Sequence, residues 1–392
     1  MSANPDISPD LPLAQRAALV HRLAAAEAFT LLGIAPAQPS AYAAHLRQWL
    51  AAGKHGQMAY LADPARLAPM LDPAKLLPGA RSIICVADRY ALKEPAPSAD
   101  DDPDLALGRI ARYAWGNDYH EILTKRLHRL ADGLHAAWPG HAFRSAVDTA
   151  PVLEREHAMR AGLGWVGKNT LLIHPRLGSY LALGEIITTL TLQTSAEAGS
   201  DAATDHCGTC TRCIDACPTA AIAPQGYSLD ARRCLSYLTI EHRGPIDPAL
   251  HPPLGSWLAG CDVCQEVCPF NHSREPWEQR ADTSTPAAYQ PRPPAPAIAL
   301  LHVLTWSSAD RQRVLQRSAL KRIALDDWKR NALIAAGNYL ARHDDPELRQ
   351  RIAELSGSAA EGDAVRQTAR QVLERLAGRP ATSGPPLPIL PT

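Results

Sequence analysis

Cys207-Gly208-Thr209-Cys210-Thr211-Arg212-Cys213-Ile214-Asp215-Ala216-Cys217-Pro218 sets four cysteines in the spacing C-x2-C-x2-C-x3-C-P. In such a run tight turns aim three thiolates at one iron–sulfur cube, and the proline-flanked fourth reaches a second cube. A second run, Cys261, Cys264 and Cys268 closed by Pro269, is one cysteine short, and Cys234 stands alone between the two runs. The crossing rule gives one cluster Cys207, Cys210, Cys213 and the distant Cys268. The other takes Cys261, Cys264 and the distant Cys217, with Cys234 as the one cysteine left in the block to complete it. Zinc is the competing occupant, since paired C-x2-C units also make tetrahedral sites. Three cysteines at successive three-residue steps followed by C-P are unusual for zinc. Electron passage through the block is therefore expected, with a purely structural cluster as the alternative.

Outward from this block, the remaining cysteine of the nine is Cys85. It lies in residues 82–87, an apolar β-branched run that reads as a buried strand, so a small buried hydrophobe is its expected role. With 392 residues the chain is long enough for two to three domains. Its 40 basic residues balance its 40 acidic ones, so any nucleic-acid contact needs a local basic patch. Residues 1–11 lack the pattern of a secretory signal, and nowhere do roughly eighteen apolar residues run together. A cytoplasmic protein with no membrane partner is expected, and in that reducing compartment clustered cysteines bind metal or do redox chemistry.

Residues 13–61 read as helical, and 94–104 as an exposed acidic, proline-rich loop. Leu123, Leu127, Leu130 and Leu134 step along one helical face. Ala146-Val147 looks like a strand ending at Asp148, followed by a helix over 152–161. Residues 170–173 and 180–192 are strand candidates joined by a turn at 175–178. This mixture suggests an α+β or α/β domain. Residues 195–205 are a polar linker and 283–296 a proline-rich, extended one. Residues 314–376 read as consecutive short helices, with 330–338 as one helix of a stacked repeat.

A second dense region joins residues 148–156 to 161–170. Asp148, where a strand meets a turn, can point into a cleft or cap the helix that follows. Gly162, Gly164 and Gly167 match G-x-G-x-x-G, but a helical stretch precedes them, and Asn169 replaces the hydroxyl a P-loop needs after Lys168. They are read as permitting close approach to a large ligand, or else as a tight turn. Residues 113–120 gather aromatic, acidic and imidazole groups at a helix start, either as proton donors and a stacking face or as a cap. The basic run 311–330 offers phosphate-binding charge or a solvated helix face.

Together, Leu76-Leu77-Pro78-Gly79-Ala80, residues 113–120, 148–156 and 161–172, the eight-cysteine layout, residues 236–241, Gly260-Cys261-Asp262 with Cys264-Gln265, and Arg330-Asn331 with Gly337-Asn338 resemble the epoxyqueuosine reductase family over residues 40–340. The resemblance implies an α+β chain in several parts: a nitroreductase-like, cobalamin-binding catalytic domain over 1–194, a ferredoxin-like domain with two 4Fe-4S clusters over 195–282, HEAT-like helical repeats contacting tRNA over 297–378, and a disordered tail over 379–392. It implies two-electron reduction of the epoxide of epoxyqueuosine, at the tRNA wobble position, to the alkene of queuosine with loss of water, the last step in making that nucleoside.

Asp148 matches the family's proton donor, and Asp118, Tyr119 and His120 match residues near its substrate. Arg66, Lys168, Asn169, Ser179 and Tyr237 lie near the family motifs and are the candidate corrin contacts beside Asp148. A carboxylic acid donates near neutral pH only if burial or a nearby negative charge raises its pKa, so Asp148 is expected in a poorly hydrated pocket against the corrin. The chain has no Asp-x-His-x-x-Gly segment, so no protein histidine is expected on cobalt. The implied partners are tRNA carrying epoxyqueuosine and an unidentified low-potential electron donor, with the enzyme a monomer. A dehalogenase-like corrinoid and iron–sulfur reductase acting on a small molecule is the alternative; such enzymes are usually exported behind a twin-arginine signal. A bare electron-transfer module accounts for the cysteines but not for residues 148–170.

Overall fold

The computed structural model describes residues 11–91, 105–199, 204–272 and 286–378. The expectations for 1–10, 94–104 and 379–392, and for parts of the two linkers, lie outside these residues. The described residues form nine strands: β1 (Leu31–Pro36), β2 (Ser82–Arg89), β3 (Leu107–Ile110), β4 (Phe143–Ala146), β5 (Trp165–Val166), β6 (Leu172–Ile173), β7 (Leu181–Thr188), β8 (Trp257–Ala259) and β9 (Ala297–Ala299).

The main sheet is antiparallel in the order β1-β2-β7-β4. β2 is buried along its whole length, Cys85 included, because a helix covers each face. On one face the helix Tyr119–Ala137 buries Leu123, Leu127, Leu130 and Leu134 against Ile84, Val86 and Ile186, as its three- and four-residue steps require. On the other, the helix Glu154–Arg160 packs Ala158 against Ile83, Cys85 and Ile187. A Cβ on Gly33 would stand 2.1 Å from the Ala161 carbonyl oxygen, so only glycine lets β1 pass under the end of that helix.

β1 falls inside the stretch read as helical. Its Pro36 is tolerated because β1 is an edge strand. Residues 170–173 do not pair with 180–192 either. Both edges of β7 are taken, by β2 and β4, so β6 pairs instead with β5. The turn at 175–178 does form, with His174 and Gly178 bridged.

A second sheet, β8-β3-β9, draws one strand each from the first part of the chain, the cysteine block and the segment after the second linker. That linker is strapped down where it is described: Tyr289 is buried, and its hydroxyl donates to Asp88 Oδ2 at 2.7 Å. The C-terminal helices Leu325–Leu340, Pro346–Gly357 and Asp363–Ala377 share one apolar core with Ile110, Leu258 and Ile298. This is the α+β architecture with a helical C-terminal region that the resemblance implied. Among the described residues no helix is long and apolar enough to cross a membrane.

Part of the basic run 311–330 turns inward. Arg330 is fully buried and donates to the carbonyls of Leu238, His242 and Gly244 at 2.8 Å, while Asn331 donates to those of Thr239 and Leu258. Lys329 is buried against Glu361 at 2.6 Å. Arg330 and Asn331 latch the C-terminal helices to the cysteine block, and Lys329 ties the helix Leu325–Leu340 to the turn before Asp363–Ala377, so these side chains are not the phosphate-binding charge that the run offers in sequence.

Candidate functional site

The end of β4 delivers Asp148 into a turn in which its φ is 45°. That left-handed conformation is sparsely populated outside glycine, and it is held from both sides. The Asp148 N–H donates to Glu154 Oε1 at 2.5 Å, and Arg66 donates to the Thr149 carbonyl at 2.9 Å. From the other side comes the helix Tyr119–Ala137, whose N-cap is Asp118. His120, in its first turn, lies between two carboxylates: Nδ1 is 2.6 Å from Asp118 Oδ1 and Nε2 is 2.9 Å from Asp148 Oδ2. The ring of Tyr119 stacks on His120 at 4.0 Å, and Tyr113 meets Tyr119 edge-on at 6.2 Å. Residues 113–120 thus cap the helix and build the site at once.

The charges in this row are mutually compensated. Burial alone pulls the His120 imidazolium down, but its hydrogen bonds to Asp118 and Asp148 outweigh that and push it up to about 9. Burial pushes Asp118 up, yet His120 and Lys321 bring it down to about 2. Asp148 moves the same way: burial raises it, and the His120 hydrogen bond and charge, with Arg322 and Arg155, more than reverse this. The Asp148 side chain is 40% exposed, so the expectation of a raised pKa in a dry pocket is corrected. The neutral-pH proton sits on the imidazole beside it. Lys321 lies 2.9 Å from Asp118 Oδ2 and 2.9 Å from Glu121 Oε1, and Arg322 pairs with Glu241 at 2.5 Å. Spacing alone did not connect this C-terminal turn to the site.

Two further acids were missed. Burial, then the charge of Asp148, raises Glu154 to about 7. Glu185, in the middle of β7, is fully buried with both carboxylate oxygens unpartnered, and burial drives it well above the usual carboxylate range. The available signal was an acid inside an otherwise apolar strand.

The cysteines gather in two sets. Cys207, Cys210, Cys213 and Cys268 line a cavity of about 200 Å³ together with Lys168, Asn169 and Phe270. Burial, and then the charges of Cys207, Cys268 and Cys210, push the Cys213 thiol up to about 11. Cys234 feels Cys217, and Cys264 feels Cys261 and Cys234, after burial has raised both thiols. The Ala221 N–H points at Cys217 Sγ at 3.3 Å. Thiols crowded in this way ionise readily only with cations among them, and four of them around a cavity of this size fit an iron–sulfur cube. The two sets approach each other, since Cys264 also feels Cys213.

Of the candidate corrin contacts, Arg66 is beside Asp148. Its Nε is buried without a partner, and its guanidinium lies 5.4 Å from the centre of the exposed Tyr60 ring. The others are engaged elsewhere. Lys168 donates to the carbonyls of Gly208 and Cys210, and Asn169 to that of Cys264. Ser179 donates to Gln265 at 2.9 Å within a buried network, and the Tyr237 hydroxyl accepts the Gln57 N–H at 2.7 Å. Gly164 and Gly167 make close approaches to protein: a Cβ on Gly164 would stand 2.3 Å from the Ile173 carbonyl oxygen, and one on Gly167 would stand 2.4 Å from the Ile173 side chain.

A family model described as epoxyqueuosine reductase QueG matches residues 71–149, and one described as a 4Fe-4S double cluster binding domain matches 206–271. An epoxyqueuosine reductase of Gloeobacter violaceus is 42% identical over 84% of this chain and 99% of its own length. The solved structure of epoxyqueuosine reductase from Streptococcus thermophilus aligns with a TM-score of 0.75 and 27% identity, over 93% of this chain and 91% of that one. Another epoxyqueuosine reductase, solved with an epoxyqueuosine-modified tRNA-Tyr stem loop, shares the fold with a TM-score of 0.74 at 24% identity, over 93% and 99%.

Proposed function

Because this chain belongs to the epoxyqueuosine reductase family, we propose that it reduces epoxyqueuosine at the wobble position of tRNA to queuosine, with Asp148 and His120 handling the proton. The observation that carries the mechanism is the imidazole held between Asp118 and Asp148 at a partly exposed carboxylate, in one fold with a double-cluster block.

Opening the epoxide and releasing its oxygen as water takes two electrons and two protons. His120 keeps a proton at Nε2 toward Asp148, and Asp148 passes it to the leaving oxygen as general acid. Asp118 and Lys321 hold the imidazole in place from behind. Stacked on His120, Tyr119 offers a face to the substrate base flipped out of the anticodon loop. The two clusters, one on Cys207, Cys210, Cys213 and Cys268 and the other on Cys217, Cys234, Cys261 and Cys264, supply single electrons, and cobalamin, when bound, supplies the two-electron reduction at carbon. Arg66, with its unpartnered buried Nε beside the Asp148 turn, fits a corrin amide there. An external low-potential donor would deliver electrons at the first cluster, whose loop is flanked by the exposed His206, Gly208 and Arg212. The second cluster would be the one facing the site, since Arg155 acts electrostatically on both Cys234 and Asp148.

The three regions 1–194, 195–282 and 297–378 divide the work into catalysis, electron supply and tRNA contact. The assembly proposed is a monomer, and a tRNA substrate supports a cytoplasmic location. The test is mass spectrometry of tRNA nucleosides from cells lacking the gene. Epoxyqueuosine accumulates on this reading; unchanged queuosine rejects it.

A further inference from the structure

We infer that Glu154 and Glu185 form a proton store behind Asp148, supplying the second proton that each turnover consumes. The inference rests on the epoxide-reduction reading, because it starts from that reaction's balance. Both C–O bonds of the epoxide break, a C=C bond forms, and the oxygen leaves as water, so one proton on the His120–Asp148 pair is half of what is needed.

Geometry identifies the source of the other half. Glu154 accepts the Asp148 N–H at 2.5 Å, which puts its carboxyl against the proton donor's own backbone. Glu185 stands opposite Ala146 in the sheet register, two residues before Asp148, on the face covered by the helix that Glu154 begins. Its carboxyl is wholly buried and makes no hydrogen bond. An ionised carboxylate in that position is strongly disfavoured, so Glu185 carries its proton at neutral pH. Asp148, Arg155 and His120 act on Glu154 from the turn and the two helices, and Cys85 faces Glu185 from β2.

The steps are proton transfers only. As Asp148 gives its proton to the departing oxygen, the Glu154 O–H breaks and the proton moves to the Asp148 carboxylate. Glu185, which has no direct hydrogen bond to Glu154, passes its proton on through water, and water reaching the half-buried Glu154 recharges both. No oxidation state changes in this segment, and the two electrons arrive as the reductase activity already requires. Glu154 and Glu185 act through Asp148 and are positioning residues in that sense.

The test uses the full, cofactor-loaded enzyme with Glu185→Gln. Near neutral pH its infrared spectrum should lose the C=O band of one protonated carboxyl, and kcat should fall about tenfold with KM unchanged, the alkaline limb of the kcat profile moving to lower pH. An unaltered band, or wild-type kcat with the same pH profile, overturns the proposal. If the wild type itself fails to reduce epoxyqueuosine, the reaction assignment falls, and the infrared band still decides whether Glu185 stores a proton. Should Glu185→Gln not fold, Glu154→Gln replaces it. That variant keeps the acceptor for the Asp148 N–H, so an unchanged pH profile there overturns the relay.

Discussion

The cysteine block and the Asp118–His120–Asp148 row both bury ionisable groups, and they settle the charge in opposite ways. In the row each carboxylate has its cation within the protein, His120 between the two acids and Lys321 behind Asp118. The block crowds thiols whose mutual repulsion and burial all act in one direction. The row is therefore complete before any cofactor binds, whereas the block becomes electrically sensible only with iron among its sulfurs. Asp148 stands at the boundary: compensated on its His120 side, and backed on the other by Glu154, where burial outweighs the charges of Arg155 and His120, and by the unpartnered Glu185.

The contrast breaks most severely if the cysteine assignment is wrong. Cys234→Ser should remove one cluster, lowering iron from about eight to about four atoms per chain and abolishing multiple turnover. Iron analysis and electron paramagnetic resonance read this out, and an unchanged iron content would reassign the ligands. Next in size is Asp148→Asn, which should cut turnover about 10²–10⁴-fold while both clusters and the corrinoid remain bound. Full activity in that variant would move the proton donor elsewhere.

The row also makes a pH prediction. His120 has a folded-state value of about 9 against 6.5 when free, so its stabilising contribution is complete below about pH 6.5 and is lost as pH rises through about 9. Allowing for solvent screening, this is on the order of 1–2 kcal/mol, measurable as a fall in unfolding midpoint across that window, and His120→Gln should flatten it. The smallest effect belongs to the exposed Lys321. Lys321→Ala should cost about 0.2–1 kcal/mol in denaturant unfolding, and a larger loss would mean that its bridge to Asp118 and Glu121 behaves as a buried pair.

Much of the chemistry was legible from one dimension. The cysteine spacings, the helix carrying Leu123, Leu127, Leu130 and Leu134, the strand around Cys85 and the segment 113–120 all follow from local periodicity and ligand geometry. What misled was context. β1 lay hidden in a helical pattern because an edge strand tolerates proline, and β6 changed partner because β7 had no free edge. Arg330 counted as surface charge although its guanidinium holds the molecule together from inside.

The sequence by itself determined which residue types could carry electrons and protons, because cluster ligation and helix periodicity depend on spacings of a few residues. Only the tertiary structure decided who holds the proton. Asp118, Asp148, Glu154 and Glu185 are the same functional group, and what separates them is whether folding brings an imidazolium or a sheet interior next to each. That neighbourhood comes from segments far apart in the chain, which no local spacing encodes.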